Sequence, residues 1–286
     1  RYWQPMVLPR SLLFLLGFLL IVLVQLLLNR IAYPQQAFVA ALYILWASLM
    51  LWLGLQLRRE IGMQGIADVF AWAFLMGALL SASVALIQHF AWHTPLDAWI
   101  NRKLAGPLTA NLGQPNHFAD YLSIGLASLL YLLARKRLPL AVAIPAAGFL
   151  LAILSLTGSR SSWLYLSVLL LLSWSWRKAE GSARRLLIAA LVFMPVFALA
   201  QWLAHLPTLQ GVGATVTPTE RLFDLANGVD VRLALWREAI QIWLHYPVFG
   251  AGFGQFAWQH FQLSSQPALS LSASQLQPDI LANALT

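Results

Sequence analysis

Gly113-Gln114-Pro115-Asn116-His117-Phe118-Ala119-Asp120 gathers an amide, an imidazole and a carboxylate within two helical turns. Pro115 pushes Gln114 out of the helical region, so a helix is expected to start here with Asn116 as its N-cap. Gln114, His117 and Asp120 then cluster at or just before the first turn. One reading is a capped helix start with a hydrogen-bonded histidine. The other is a polar pocket rim facing a bound headgroup, in which His117 and Asp120 are groups able to take a proton. Thr157-Gly158-Ser159-Arg160-Ser161-Ser162 is a second cluster. A serine cap, an arginine and a helix N-terminus together suit an anion, and the planar guanidinium suits phosphate. The plainer alternative is a tight turn whose arginine snorkels to lipid headgroups. The third candidate is a helix over about Asp230–Tyr246. At 100° per residue, Arg237, Glu238, Gln241 and His245 share one face and Leu233, Trp236, Ala239, Ile240 and Trp243 the opposite one. Arg232 falls within the apolar face, where its partner is either Asp224 or Asp230 in an ion pair, or a phosphate. Gly250-Ala251-Gly252-Phe253-Gly254 follows. With no strand before it, this is no dinucleotide fingerprint. It is a turn, or backbone that closely approaches a ligand.

The elements that position these residues are hydrophobic. In 286 residues, 60% are hydrophobic and 10% are charged, against roughly 45–50% and 25% in soluble domains. The fold class is therefore all-α, a polytopic transmembrane helical bundle. About seven spans are expected, near 11–28, 37–57, 68–90, 117–134, 138–156, 161–176 and 185–204. Residues 1–204 form the transmembrane region. Residues 205–286 form a large outward-facing loop containing the amphipathic helix and a Ser/Gln/Pro-rich tail. With no cysteine, disulfides and thiol chemistry are excluded. The net charge of +8 does not point to nucleic acid, because most of the basic residues flank hydrophobic spans instead of lining one surface.

Lysine and arginine set the orientation. Clusters at Arg58-Arg59, Arg135-Lys136-Arg137, Arg177-Lys178 and Arg184-Arg185 place the N-terminus in the cytoplasm and the last loop outside. Trp92, Trp99 and Trp202 then mark the outer interface, and Trp174 and Trp176 the inner one. The first span lacks a small-x-small cleavage site after it and is not read as a cleaved signal. Span interiors hold almost no ionisable groups, whereas ion-coupled transporters place polar sites at the midplane. The polar residues sit at the outer interface, which favours chemistry there.

Gln114-Pro115-Asn116-His117, then Thr157-Gly158-Ser159-Arg160-Ser161, then Arg232-x3-Trp236 continuing to Tyr246-Pro247-Val248-Phe249-Gly250-Ala251-Gly252-Phe253-Gly254, together resemble the O-antigen ligase/polymerase superfamily. The first motif is most similar to its protein O-oligosaccharyltransferase branch, the PglL type. The resemblance covers roughly 110–262. It implies transfer of an oligosaccharide from undecaprenyl diphosphate, at the outer face of a bacterial inner membrane, to Ser or Thr hydroxyls of a periplasmic protein such as pilin. The implied partners are that lipid-linked oligosaccharide, the acceptor protein and membrane lipid. No metal, cofactor or nucleic acid is expected, and inversion at the anomeric carbon is.

Carried over by position, Arg160 and Arg232 match arginines that bind the diphosphate, and Gln114, Asn116 and His117 match the motif of the protein-glycosylating branch. His117, Gln114 and Asp120 are the catalytic candidates in this chain. Asn116, Arg237, Tyr246 and Gly252 are candidates for the acceptor or glycan site. The superfamily's later histidine motif and further helices have no counterpart before Thr286, so the chain reads as an N-terminal portion of a longer protein. Related alternatives are an O-antigen ligase acting on lipid A-core or a polymerase. A glycan-lipid transporter and a structural membrane subunit are alternatives of other classes.

Overall fold

The computed structural model describes residues 9–101, 106–175, 183–211, 217–223 and 226–264. Among them every regular element is helical: α1 (Ser11–Leu27), α2 (Pro34–His89), α3 (Pro115–Ala134), α4 (Leu140–Ser155), α5 (Ser161–Ser175), α6 (Ala183–Leu203), α7 (Pro218–Phe223), α8 (Ala226–His245) and α9 (Phe256–Ser264). The all-α class follows the hydropathy reading.

The seven expected spans fall on α1–α6. Among the described residues, three stretches are long and apolar enough to cross a membrane: α2, α3 and Leu186–Leu203 within α6. The apolar helices α1, α4 and α5 have 17, 16 and 15 residues. At 1.5 Å per residue, the 16-residue α4 extends about 24 Å, less than a hydrocarbon core of about 30 Å. The spans expected at 37–57 and 68–90 lie in one 56-residue element, interrupted only at Gly62, whose φ of 72° and ψ of 167° are not helical. The two helices meet there at a kink, where glycine permits the positive φ, with no loop between them.

The chain forms two compact units, one from Arg1–Gly62 with Ala226–Thr286 and the other from Met63–Leu225. This division follows contacts, whereas the expected boundary near residue 204 follows hydropathy. In the second unit α3 packs against α4, α5 and α6. Leu122, Leu126, Leu150, Leu154, Phe118 and Phe197 are fully buried at its centre. Small residues bring the later part of α2 onto α3. Ala71, Ala78, Ala82 and Ala85 are buried in one stripe, and a Cβ at Gly125 would stand 2.4 Å from that of Ala78. Close backbone approach through small residues is how helices associate where lipid weakens the hydrophobic drive. At the expected cytoplasmic end, Asp68 accepts a hydrogen bond from the Tyr131 hydroxyl (2.9 Å) and pairs with Arg135 (3.7 Å) and Arg137 (3.3 Å).

In the first unit, buried glutamines fasten the glycine-rich loop to the turn between α1 and α2. Gln25 donates to the carbonyl of Phe249 at 2.6 Å and accepts from the amide of Phe253 at 2.9 Å. Gln255, 1% exposed, accepts from the amide of Ala32 at 3.1 Å and donates to Gln36. The expected helix at Asp230–Tyr246 is α8, starting a turn earlier. Its Glu238 is covered by His260 of α9. Trp236, Ile240 and Trp243 on the opposite face remain exposed, at 72%, 54% and 58%. An apolar face left outward beside a satisfied polar face is the pattern of a helix lying at a membrane interface.

Candidate functional site

The polar cluster of the second unit is built from the start of α3 and the turn before α5. Gly113 reverses the chain at φ 73° and Gln114 is extended at φ −132°, ψ 129°. The helix begins two residues earlier than expected. Gln114 occupies the N-cap position and Pro115 the first helical one, so Asn116 is not the cap. Proline suits that first position because it lacks the amide hydrogen that would go unpaired there and its φ is already helical. The consequence concerns Asn116, whose side chain is released from capping and accepts a hydrogen bond from Ser159 Oγ at 2.9 Å.

Ser159 ties the two motifs together. It is fully buried, and its hydroxyl also meets Ser161 Oγ at 2.7 Å. Gly158 turns the backbone at φ 61°. Thr157, also fully buried, donates to the carbonyl of Leu154 at 2.8 Å, and its oxygen receives the amide of Ser159 at 3.3 Å. Arg160 is half-buried immediately before α5. The Tyr165 hydroxyl, one turn into α5, reaches Asp120 and Ser161.

Asp120 Oδ2 lies 3.9 Å from His117 Nδ1, with the two side chains 42% and 67% exposed. Asp120 Oδ1 and Ser162 Oγ are buried with no hydrogen-bond partner among the described residues. Gln114 is exposed, and its carbonyl accepts the amide of Phe118 at 3.1 Å. Thus His117, Asp120, Asn116 and the Thr157–Ser161 turn converge, with Gln114 at the rim. The assembly can offer a cation and a solvent-reachable imidazole–carboxylate pair.

Arg221, which none of the three motifs contains, also reaches this turn. Its Nη1 donates to the carbonyl of Gly158 at 3.2 Å. A signal was present in Thr217-Pro218-Thr219-Glu220, a capping box that starts a helix. Glu220 accepts the amide of Thr217 at 2.8 Å, and Thr217 Oγ1 accepts that of Glu220 at 3.4 Å.

The remaining candidates lie in the first unit. Arg232 is on α8, and its side chain lies outside the described residues, as do those of its possible partners Asp224 and Asp230. Arg237 is exposed. Tyr246 is half-buried under the Arg30 guanidinium, 5.0 Å from the ring centre. Gly252 has a φ of 117°, and a Cβ there would stand 2.3 Å from the carbonyl oxygen of Arg30. The close backbone approach read from its sequence is thus made to the chain's own α1–α2 turn.

Comparison with known proteins agrees with the motifs. Residues 145–280 match the family described as O-Antigen ligase, and residues 109–133 match the family described as Protein glycosylation ligase. The chain is 25% identical over 257 residues to a general O-oligosaccharyltransferase of Acinetobacter baylyi, covering 88% of this chain and 45% of that protein. It is 24% identical over 253 residues to a ComP-specific O-oligosaccharyltransferase of the same organism, with the same coverage. The chain therefore spans about half the length of the curated relatives it matches. No solved structure matches.

Proposed function

We propose that the full-length protein is a membrane glycosyltransferase that moves an oligosaccharide from undecaprenyl diphosphate to Ser or Thr hydroxyls of periplasmic proteins such as pilin. The observation that carries this reading is the Ser159–Asn116 hydrogen bond, which joins the Gln-Pro-Asn-His segment to the arginine-bearing turn. Two motifs 43 residues apart become one polar cluster. The match of 109–133 to the protein glycosylation ligases supports a protein acceptor. The O-Antigen ligase match over 145–280 supports the second reading, in which the acceptor is lipid A-core.

In the proposed step the acceptor hydroxyl oxygen attacks the anomeric carbon from the side opposite the diphosphate, with inversion. The new carbon–oxygen bond forms as the bond to the diphosphate oxygen breaks, and the diphosphate leaves with the electron pair. The hydroxyl proton passes to His117, which Asp120 orients, and Gln114 and Asn116 position the acceptor. Arg160 and Arg232 stabilise the charge that grows on the departing diphosphate. Arg237, Tyr246 and Gly252 belong to the side that meets glycan or acceptor. A diphosphate is a good leaving group, so the reaction needs cationic stabilisation more than strong acid, and no metal is invoked. The protein lies in the inner membrane with its N-terminus cytoplasmic and residues 205–286 beginning a periplasmic loop.

The test supplies undecaprenyl-diphosphate oligosaccharide to the full-length protein with a serine-rich pilin-like protein and lipid A-core in parallel. Glycan on the protein supports the reading. Glycan on lipid A-core alone replaces it with the ligase.

A further inference from the structure

We propose that Arg221 is a second cation of the diphosphate site, placed there by α7 beside the turn that carries Arg160. The inference rests on the reading of that turn as the donor's diphosphate site and adds a residue to it that neither motif contains.

Two anchors fix α7. The Thr217–Glu220 capping box sets its start, with Thr217 2% exposed. Thr219 then links α5 to α6. Its hydroxyl receives the Trp163 indole N–H at 3.1 Å and donates to Gln201 Oε1 at 2.7 Å, and the same oxygen accepts the Thr219 amide at 3.0 Å. Gln201 is 5% exposed. This short helix is therefore held on the ends of α5 and α6, and its next residues are aimed by that attachment. Arg221 follows Glu220 and reaches Gly158, two residues before Arg160.

The guanidinium has more to give than this bond uses. Arginine carries five N–H donors in a planar fork. Among the described residues, the carbonyl of Gly158 is the hydrogen-bond partner of the Arg221 guanidinium. The neighbouring carboxylate is committed elsewhere, since Glu220 faces Thr217 and lies 3.7 Å from His205. A half-buried arginine with donors to spare is suited to an oxyanion, and its fork matches phosphate. The two arginines differ in how they are held. Arg160 is part of the turn itself, whereas Arg221 approaches from a separate helix. Arg221 thereby fixes the Gly158 carbonyl and brings its own charge to the turn.

The test uses the full-length protein in nanodiscs, with undecaprenyl diphosphate titrated without any acceptor and binding read by native mass spectrometry. Arg221→Gln removes the charge but keeps an amide able to donate to Gly158, and Arg221→Lys keeps the charge. Hydrogen exchange over 157–161 is measured on each variant. Losing a charge-assisted contact is expected to weaken binding about tenfold or more in Arg221→Gln, with exchange at the turn unchanged. Arg221→Lys, which keeps the charge but loses the planar fork, is expected to bind between the parent and Arg221→Gln. Wild-type affinity in Arg221→Gln overturns the inference and leaves the wider reading standing. Weakened binding accompanied by faster exchange at 157–161 also overturns it, because the arginine then only holds the turn. Failure of the unmodified protein to bind undecaprenyl diphosphate removes the donor site altogether.

Discussion

Replacing Gly252 by alanine tests whether the glycine-rich loop is locked onto the α1–α2 turn. The added Cβ would lie 2.3 Å from the Arg30 carbonyl oxygen and 2.8 Å from Gln255 Cγ, where ordinary contact begins at 3.4 Å. The loop must retreat by about 1 Å, since the nearest obstacle is backbone. At φ 117° the alanine also occupies a region natural to glycine, at a cost of about 1–3 kcal/mol. A retreat of that size stretches the Gln25 bonds to Phe249 and Phe253, now 2.6 and 2.9 Å, beyond hydrogen-bonding range. Two such bonds contribute about 1–3 kcal/mol together. The combined local loss is about 2–6 kcal/mol. Even its lower bound makes opening of the loop roughly thirtyfold more frequent. The assay is hydrogen exchange at the Phe253 amide, which donates to Gln25. Gly17→Ala is the control, because nothing lies within 4 Å of a Cβ there. Equal protection of the Phe253 amide in Gly252→Ala and the Gly17→Ala control would refute the packing argument.

Three other outcomes are expected. Arg160→Ala and Arg232→Ala each lower glycan transfer by about two orders of magnitude or more, with membrane levels and thermal unfolding unchanged. Unchanged turnover in either variant removes that arginine from the donor site. Ser159→Ala and Asn116→Ala show a coupling of about 0.5–1.5 kcal/mol in a double-mutant cycle of thermal unfolding. Strict additivity there would mean that the hydrogen bond between the two motifs contributes nothing. Glu220→Ala costs about 0.5–2 kcal/mol of local stability by breaking the capping box. Faster proteolytic cleavage within 217–223 should report it, and wild-type resistance would place the stability of α7 elsewhere.

What the sequence reveals and what it hides divide along physical lines. Apolar runs locate the helices to within a few residues, because burial in lipid depends on local composition. The gap between the second and third spans is real but tight, because the two helices meet at the Gly62 kink with no loop between them. Asn116 looks like a cap by residue type, yet Pro115 fills the first helical position and Asn116 turns to Ser159. Gln25, Gln36 and Gln255 read as ordinary polar residues in or beside apolar helices. Their importance lies in partners more than 200 residues away, which no local pattern encodes. Arg221 is a different case. Its capping box is written in the sequence, but that the helix it starts delivers an arginine to Gly158 depends on how Thr219 docks between α5 and α6. The motifs mark the cluster around His117, Asp120 and Ser159, while the second cation near Arg160 emerges only from packing.

The proposed function requires that the full-length protein carry a lipid-linked glycan to a protein hydroxyl. The most direct measurement is the mass shift of a serine-rich pilin-like acceptor and of lipid A-core, each incubated with the purified full-length protein and undecaprenyl-diphosphate oligosaccharide. Glycan is expected on the protein acceptor, and its transfer is expected to be lost when Arg160 is replaced. Glycan on lipid A-core with the protein acceptor unmodified would contradict it.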